Sequence, residues 1–391
     1  MKQIRAGLVL TLLVLLPGLV TCRAPTDCSA VDGDCSPLIV AFLFQPVYKA
    51  TARFVYSTDT GSNLIRAVKI DSKTGAVLTN IGTFSTGTSP NVMVIDPSTR
   101  FLYCADFTAD TVSVFSINAS TGTLSLVQTL GLGAGANPGG LLIFSDYLLV
   151  SQSSAGFSNV QLYRRDSGTG MLTTQGSAVN ISPPANSQPR QGMIHPNGRF
   201  LYLGLENGNA GTAQLTVSGA SVSYNTNITL STGTNLYDAV MTYDGRFVVV
   251  SVLGGTANAF VYSIDSATGA LTQVSTIVPG GLVSHAIVAH PYLPVVYMGF
   301  ESATSNLQAF QVSSSGVLSL FSTVTISAGN NKALAVDPQG GFLYSVNSSQ
   351  GFVLAPLNPL TGAFATSAAN AVAPGGTPLH VTIASYPQPY Y

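Results

Sequence analysis
A glycine returns in the same phase of an alternating pattern seven times along this chain, at positions 75, 122, 170, 219, 269, 316 and 362. The intervals are 47, 48, 49, 50, 47 and 46 residues. No other feature constrains the fold as tightly, because a repeat of this length made of short alternating runs must bury its faces against copies of itself. In five copies a threonine stands before the glycine: Thr74-Gly75, Thr121-Gly122, Thr169-Gly170, Thr268-Gly269 and Thr361-Gly362. A second marker runs in parallel, as Asp96-Pro97, His195-Pro196, His290-Pro291 and Asp337-Pro338. Seven residues after the first member of each comes Tyr103, Tyr202, Tyr297 or Tyr344. Tight turns such as Pro196-Asn197-Gly198-Arg199 and Tyr243-Asp244-Gly245-Arg246 lie between. Proline presets φ and glycine suits the fourth turn position, so these stretches are strand reversals.

Each unit then reads as four short strands: an inner apolar run such as Val92–Ile95, a second such as Phe101–Ala105, an alternating third such as Val112–Ile117, and an outer strand after the glycine turn. No segment sustains a helical period. Four strands in a repeat of 40–50 residues is the signature of a β-propeller blade. The expected fold is therefore all-β, a seven-bladed β-propeller over residues 53–391. The first unit opens directly on a second-strand run, Arg53-Phe54-Val55-Tyr56, and lacks an inner strand. The missing strand has its counterpart at the far end. Thr377-Pro378-Leu379-His380-Val381-Thr382-Ile383 has the form of Ser89-Pro90-Asn91-Val92-Met93-Val94-Ile95, so the C-terminal strand is expected to complete blade one and close the ring.

Composition narrows the function classes. Fifteen Lys and Arg stand against 16 Asp and Glu, which leaves no basic footprint for a phosphate backbone. A hydrophobic fraction of 46% excludes a disordered chain. Beyond the N-terminus the longest apolar run is Leu38–Phe44, too short to span a membrane. The N-terminus itself reads as an export signal over residues 1–21, with Lys2 and Arg5 before an apolar stretch from Leu8 to Leu16 that Pro17-Gly18 breaks. Leu19-Val20-Thr21-Cys22 resembles a bacterial lipobox, with Thr21 where Gly, Ala or Ser is usual. That resemblance implies a lipid on Cys22 and a tether over 22–52; cleavage after Ala24 would instead release a secreted protein. Either route places the domain outside the cytoplasm, in the cell envelope or beyond it. Cys28 and Cys35 are then a disulfide candidate in an oxidising compartment. Cys104 sits in the apolar run Phe101–Ala105 and reads as a buried, inert thiol.

The stretch Gln188-Pro189-Arg190-Gln191-Gly192-Met193-Ile194-His195-Pro196-Asn197-Gly198-Arg199-Phe200-Leu201-Tyr202 resembles the seven-bladed lactonase-type propellers, which include bacterial 6-phosphogluconolactonases and carboxymuconate cyclases and are similar to YVTN-repeat surface proteins. The likeness spans about residues 53–384. It implies a lactonase cluster in which Arg190 and Glu206 fall on family positions. Gln191 stands where that family carries His, Leu205 where it carries Asn, and the neighbouring blades hold Gly140 and Asp238 in the place of a further His.

Counting along the repeat reaches the same region. Five residues before each marker the inner strand enters at one mouth of the channel, a ring of Asn91, Gly139, Arg190, Tyr237, His285, Lys332 and Leu379, with His380 one place on. Ten or eleven residues after the marker, second strands end at that face and are expected to supply Asp106, Glu206, Glu301 and Asn347, with Asp59 in blade one. Arginine and lysine to hold an anion, with Glu and His to move protons, is the equipment of ester or lactone hydrolysis. Arg190–Glu206 and His285–Glu301 are equally open as in-blade salt bridges.

Other motifs fall away. Gly131-Leu132-Gly133-Ala134-Gly135-Ala136 matches a dinucleotide fingerprint only as a string and reads as an inter-blade loop. His195 and His290 belong to reversals on the opposite face, so no four-histidine metal site is expected, and no cofactor is implied. The leading expectation is an exported, lipid-anchored propeller acting as a monomeric binding module for a small anionic ligand or a protein partner. It meets the membrane only through its lipid and binds no nucleic acid. The alternative is a lactonase-like hydrolase with Arg190 as anion clamp, Glu206 and His285 as acid–base groups, and Lys332, Glu301, Tyr237, Asn91 and His380 as ligand contacts.

Overall fold
The computed structural model describes residues 53–154, 157–181, 188–206, 211–229, 235–253, 259–277, 283–301, 304–327, 330–348, 351–365, 369–370 and 377–385. Cys22, Cys28 and Cys35, the export signal and the tether lie outside them. Every regular element described is a strand, and the strands form seven four-stranded antiparallel sheets. Contacts between inner strands run from each sheet to the next and from the seventh back to the first, so the sheets are blades of a closed seven-bladed β-propeller. The inner strands, from blade two to blade seven, are Pro90–Ile95, Pro138–Phe144, Gln188–Ile194, Asn235–Met241, Val283–Ala289 and Asn331–Val336. Blade one takes its inner strand, Pro378–Ser385, from the C-terminus, paired with Arg53–Asp59. The Thr60 backbone N–H donates to the Thr377 carbonyl at 3.1 Å beside that pairing. Closure at the C-terminal strand follows the sequence expectation.

The buried apolar residues fall into seven clusters, each between two adjacent blades. Phe54, Tyr56, Met93 and Leu102 pack between blades one and two, for example, and Tyr344, Val346, Val55 and Val68 between blades seven and one. Both faces of each blade are thus covered, and strands of this kind need few charges.

The recurrent glycine turns out to be more than a turn residue. All seven glycines adopt positive φ, between 56° and 81°, a region costly for residues with a Cβ. At the same point the preceding blade docks. The hydroxyls of Tyr56, Tyr103, Tyr202, Tyr297 and Tyr344 donate to the carbonyls of Gly122, Gly170, Gly269, Gly362 and Gly75, at 2.7–3.0 Å. The Phe two places before four of these tyrosines presses on the bare Cα: a Cβ on Gly170 would lie 2.3 Å from Phe101 Cδ1. Val249 stands at the tyrosine position of blade five, and there the Ser275 hydroxyl donates to Gly316 at 2.7 Å instead.

The marker residues cap the reversals at the other end of the blades. Asp96 Oδ1 accepts the Phe101 N–H at 2.7 Å, and Asp337 Oδ1 accepts the Phe342 N–H at 2.7 Å. His195 and His290 do the same work through Nδ1, from Asn197 at 3.1 Å and Leu293 at 3.1 Å. Gly131–Ala136 runs into an inter-blade loop, as expected, pinned where Asp110 accepts the Gly135 and Asn137 N–H groups at 2.7 Å each. Cys104 is buried and free, and burial pushes its thiol pKa well up.

Candidate functional site
All seven inner strands run in the same direction, so their first residues meet at one end of the channel. There each makes a register irregularity of the same kind: between Pro90 and Val92, Pro138 and Gly140, Pro189 and Gly192, Leu236 and Asp238, Ser284 and Ala286, and Asn331 and Ala333. In blade one it falls opposite Ser57–Asp59. The first residues left over are Asn91, Gly139, Arg190, Tyr237, His285, Lys332 and Leu379, and in blades four and one Gln191 and His380 are left over as well. The first residues are the seven ring positions reached by counting. A bulge breaks the alternation of a strand and re-aims a side chain, and it is frequent beside functional sites. Asn91, Lys332 and His380 are partly exposed there, and Leu379 is exposed. Arg190, Tyr237, His285, Glu206 and Glu301 are described through the backbone alone. Glu206 pairs with Gln188 and Glu301 with Val283, level with the ring.

Three of the groups expected at the mouth are turned away from it. Asp59, Asp106 and Asn347 are each fully buried, at 0% exposure. They are the tenth residues after the marker position, whereas Glu206 and Glu301 are the eleventh, and successive strand residues face opposite sides. Leu205, Val252 and Phe300 occupy the same tenth position and are equally buried. Asp106 is held by hydroxyls of Ser113 at 2.6 Å, Thr86 at 2.7 Å and Thr111 at 3.1 Å. Burial raises its pKa, against the pull of those hydrogen bonds. Asp59 forms an ion pair with Arg66 at 2.5 Å and accepts the Thr377 N–H at 3.0 Å. Burial alone would raise its pKa, but Thr377 and Arg66 outweigh that and hold it below the ordinary value. Asn347 donates to Asn331 Oδ1 at 3.3 Å. These groups fasten inter-blade connections and the ring closure.

One place beyond each ring position lies a second ring: His380, Val92, Gly140, Gln191, Asp238, Ala286 and Ala333. Polar residues here reach the inner strand of the next blade, whose central edge has no further strand to pair with. Asp238 Oδ2 accepts the Ile287 N–H at 3.1 Å, and its Oδ1 accepts the Ala239 N–H at 2.8 Å. His380 Nδ1 accepts the Met93 N–H at 3.4 Å, and the His380 backbone N–H donates to Thr58 Oγ1 at 3.0 Å. Since Nδ1 is an acceptor, the proton sits on Nε2, which lies 3.4 Å from Gln191 Oε1. Desolvation inside the channel pushes the pKa of this partly exposed ring down to about 4, so the imidazole is neutral near pH 7. Gln191 and Asp238, which sequence reasoning treated only as departures from a histidine pattern, are thus part of the mouth. Their signal was present, because each directly follows a bulge position.

The mouth gathers, in the described side chains, an imidazole, a lysine, a carboxylate and two amides. Such a set can hold a carbonyl and an anionic group together. No group of three His, Cys, Asp or Glu able to hold a metal ion occurs among the described residues.

Comparison with known proteins places this geometry. The family model described as "Lactonase, 7-bladed beta-propeller" matches residues 47–136 and 145–283. A curated relative, "Probable 6-phosphogluconolactonase" of Arthroderma benhamiae, is 28% identical over 184 residues, 42% of this chain. The match spans 44% of that relative's length. Among solved structures, the periplasmic gluconolactonase PpgL of Pseudomonas aeruginosa superposes with a TM-score of 0.70 at 16% identity, over 85% of this chain and 99% of that one. A Lactobacillus plantarum protein does so with a TM-score of 0.69 at 19% identity, over 85% of this chain and 99% of that one. At these identities the structural likeness speaks for the fold.

Proposed function
The chain belongs to the seven-bladed lactonase β-propeller family, and on that premise we propose that it is a lactonase-like hydrolase opening a sugar or carboxylated lactone at the channel mouth. The observation that carries the reading is the bulge repeated on all seven inner strands, which sets Arg190, His285 and Lys332 at the end of the channel where Glu206 and Glu301 terminate their strands. In this reading Arg190 and Lys332 hold the anionic group of the substrate. Glu206 or His285 takes a proton from water as its oxygen attacks the lactone carbonyl. The ring C–O bond then breaks, and the departing alkoxide receives a proton to leave an open hydroxy acid. Glu301, Tyr237 and Asn91 are substrate contacts. Family membership supports this reading over the binding module that led the sequence expectations.

The test is hydrolysis of a panel of sugar and aryl lactones by the wild type beside Arg190→Ala and Glu206→Ala. A rate above background that both variants lose supports the enzyme. Absence of any rate restores the binding module. Export and a lipid on Cys22 are part of the proposal, supported by the charged and apolar pattern of residues 1–22. Palmitate labelling that survives Cys22→Ala would refute the anchor.

A further inference from the structure
Blades one and four are separated by two blades on one side and three on the other, so they stand as far apart as a seven-membered ring allows. Yet His380 of blade one meets Gln191 of blade four, 189 residues away in the chain. The two side chains form a bar across the channel axis, just inside the bulge ring. The bar is asymmetric. His380 is held by its own backbone bond to Thr58 at 3.0 Å, with the Met93 N–H 3.4 Å from its Nδ1. Gln191 is exposed, and of its side-chain atoms Oε1 receives the proton while its amide N–H₂ stays a second donor. At 3.4 Å the contact is long for a hydrogen bond. It is a resting partner that a better acceptor can displace.

We propose that His380 is the carbonyl-binding group of this mouth: its Nε2–H leaves Gln191 and donates to the carbonyl oxygen of a lactone or lactam ring seated on the bar. The assignment rests on the hydrolase reading for its choice of ligand, and it gives His380, until now only one of several expected ligand contacts, a specific role. With Nδ1 occupied by Met93, the imidazole has no free lone pair to act as a base, so it serves as a directed donor. A donor aimed where negative charge gathers on the oxygen is what acyl transfer requires. Among the described side chains, Lys332, in the blade next to blade one, and Asp238, in the blade next to blade four, are titratable groups near the bar.

The test uses D-glucono-1,5-lactam, which keeps the ring carbonyl but resists hydrolysis, with the full-length wild type, His380→Ala and Gln191→Ala. Removing the donor is expected to weaken lactam binding about tenfold, the equivalent of one hydrogen bond. Removing Gln191 frees the donor and is expected to tighten binding by a few-fold. Equal losses in both variants, or none in either, would show that the bar is merely a strut and overturn the proposal. Nitrogen-15 spectra of the wild-type histidines give a measure that needs no variant to fold. They should show His380 protonated on Nε2 and shifted by lactam, and an Nδ1-protonated ring or an unmoved signal overturns it. Failure of the wild type to bind lactam overturns it as well, whereas lactam binding without any lactone hydrolysis refutes only the hydrolase reading.

Discussion
Gly170→Ala is the substitution that most directly probes how the blades hold together. Two costs apply. At φ 76° an alanine suffers the left-handed strain of any residue with a Cβ, about 1 kcal/mol. Its Cβ would also lie 2.3 Å from Phe101 Cδ1 and 2.6 Å from Cγ, so a buried ring must move, an overpacking cost of about 1–3 kcal/mol. Gly219 separates the two terms. It occupies the same place in blade four with φ 56°, but nothing lies within 4 Å of its would-be Cβ, so the ring that presses on Gly170 has no counterpart here. Gly219→Ala therefore carries only the backbone term. In urea unfolding, Gly170→Ala should be less stable than Gly219→Ala by about 1–3 kcal/mol. Tyr103→Phe, which removes the 3.0 Å bond to the Gly170 carbonyl, should cost about 1 kcal/mol. If the two alanine variants unfold at the same urea concentration, the glycine is only a turn residue and the docking argument fails.

Acid should loosen the contact between blades six and seven. His290 is fully buried, and burial, only partly offset by the Gly340 backbone, pushes its pKa down to about 4. The unfolded chain takes up the proton first, so the stability is whole above about pH 6.5 and is lost as pH falls towards 4, by about 3 kcal/mol. His290→Asp places at this turn the acceptor that Asp96 and Asp337 already supply in theirs, and urea titrations should show a shallower loss between pH 6.5 and 4. An unchanged slope would exclude His290 as the cause. Deleting residues 377–391 removes the inner strand of blade one together with the Thr377 bonds to Asp59 and Thr60. The melting temperature should fall sharply or folding should fail, and an unaltered melt would refute closure by this strand.

Much of the fold was legible because it is written in local chemistry that repeats. The outer hairpin turn takes a positive-φ glycine in all seven blades, and an N–H acceptor such as Asp96 or His195 closes the inner reversal in five of them. The ring from Asn91 to Leu379 could be counted for the same reason. What counting could not supply was the face on which a residue lies. Asp59 and Asp106 fall one register step short of the positions of Glu206 and Glu301, and both lie in the blade interior.

The amino-acid sequence by itself determined the number of blades, the strand order within each and the end of the channel where polar residues gather, since each of these follows from turn conformation and alternation over a few residues. Only the tertiary structure decided that the repeated glycine is also the seat of the neighbouring blade, and that His380 and Gln191 touch. The first depends on how closely two sheets pack. The second depends on the diameter of a closed ring, and no local pattern within one repeat encodes a distance across the axis.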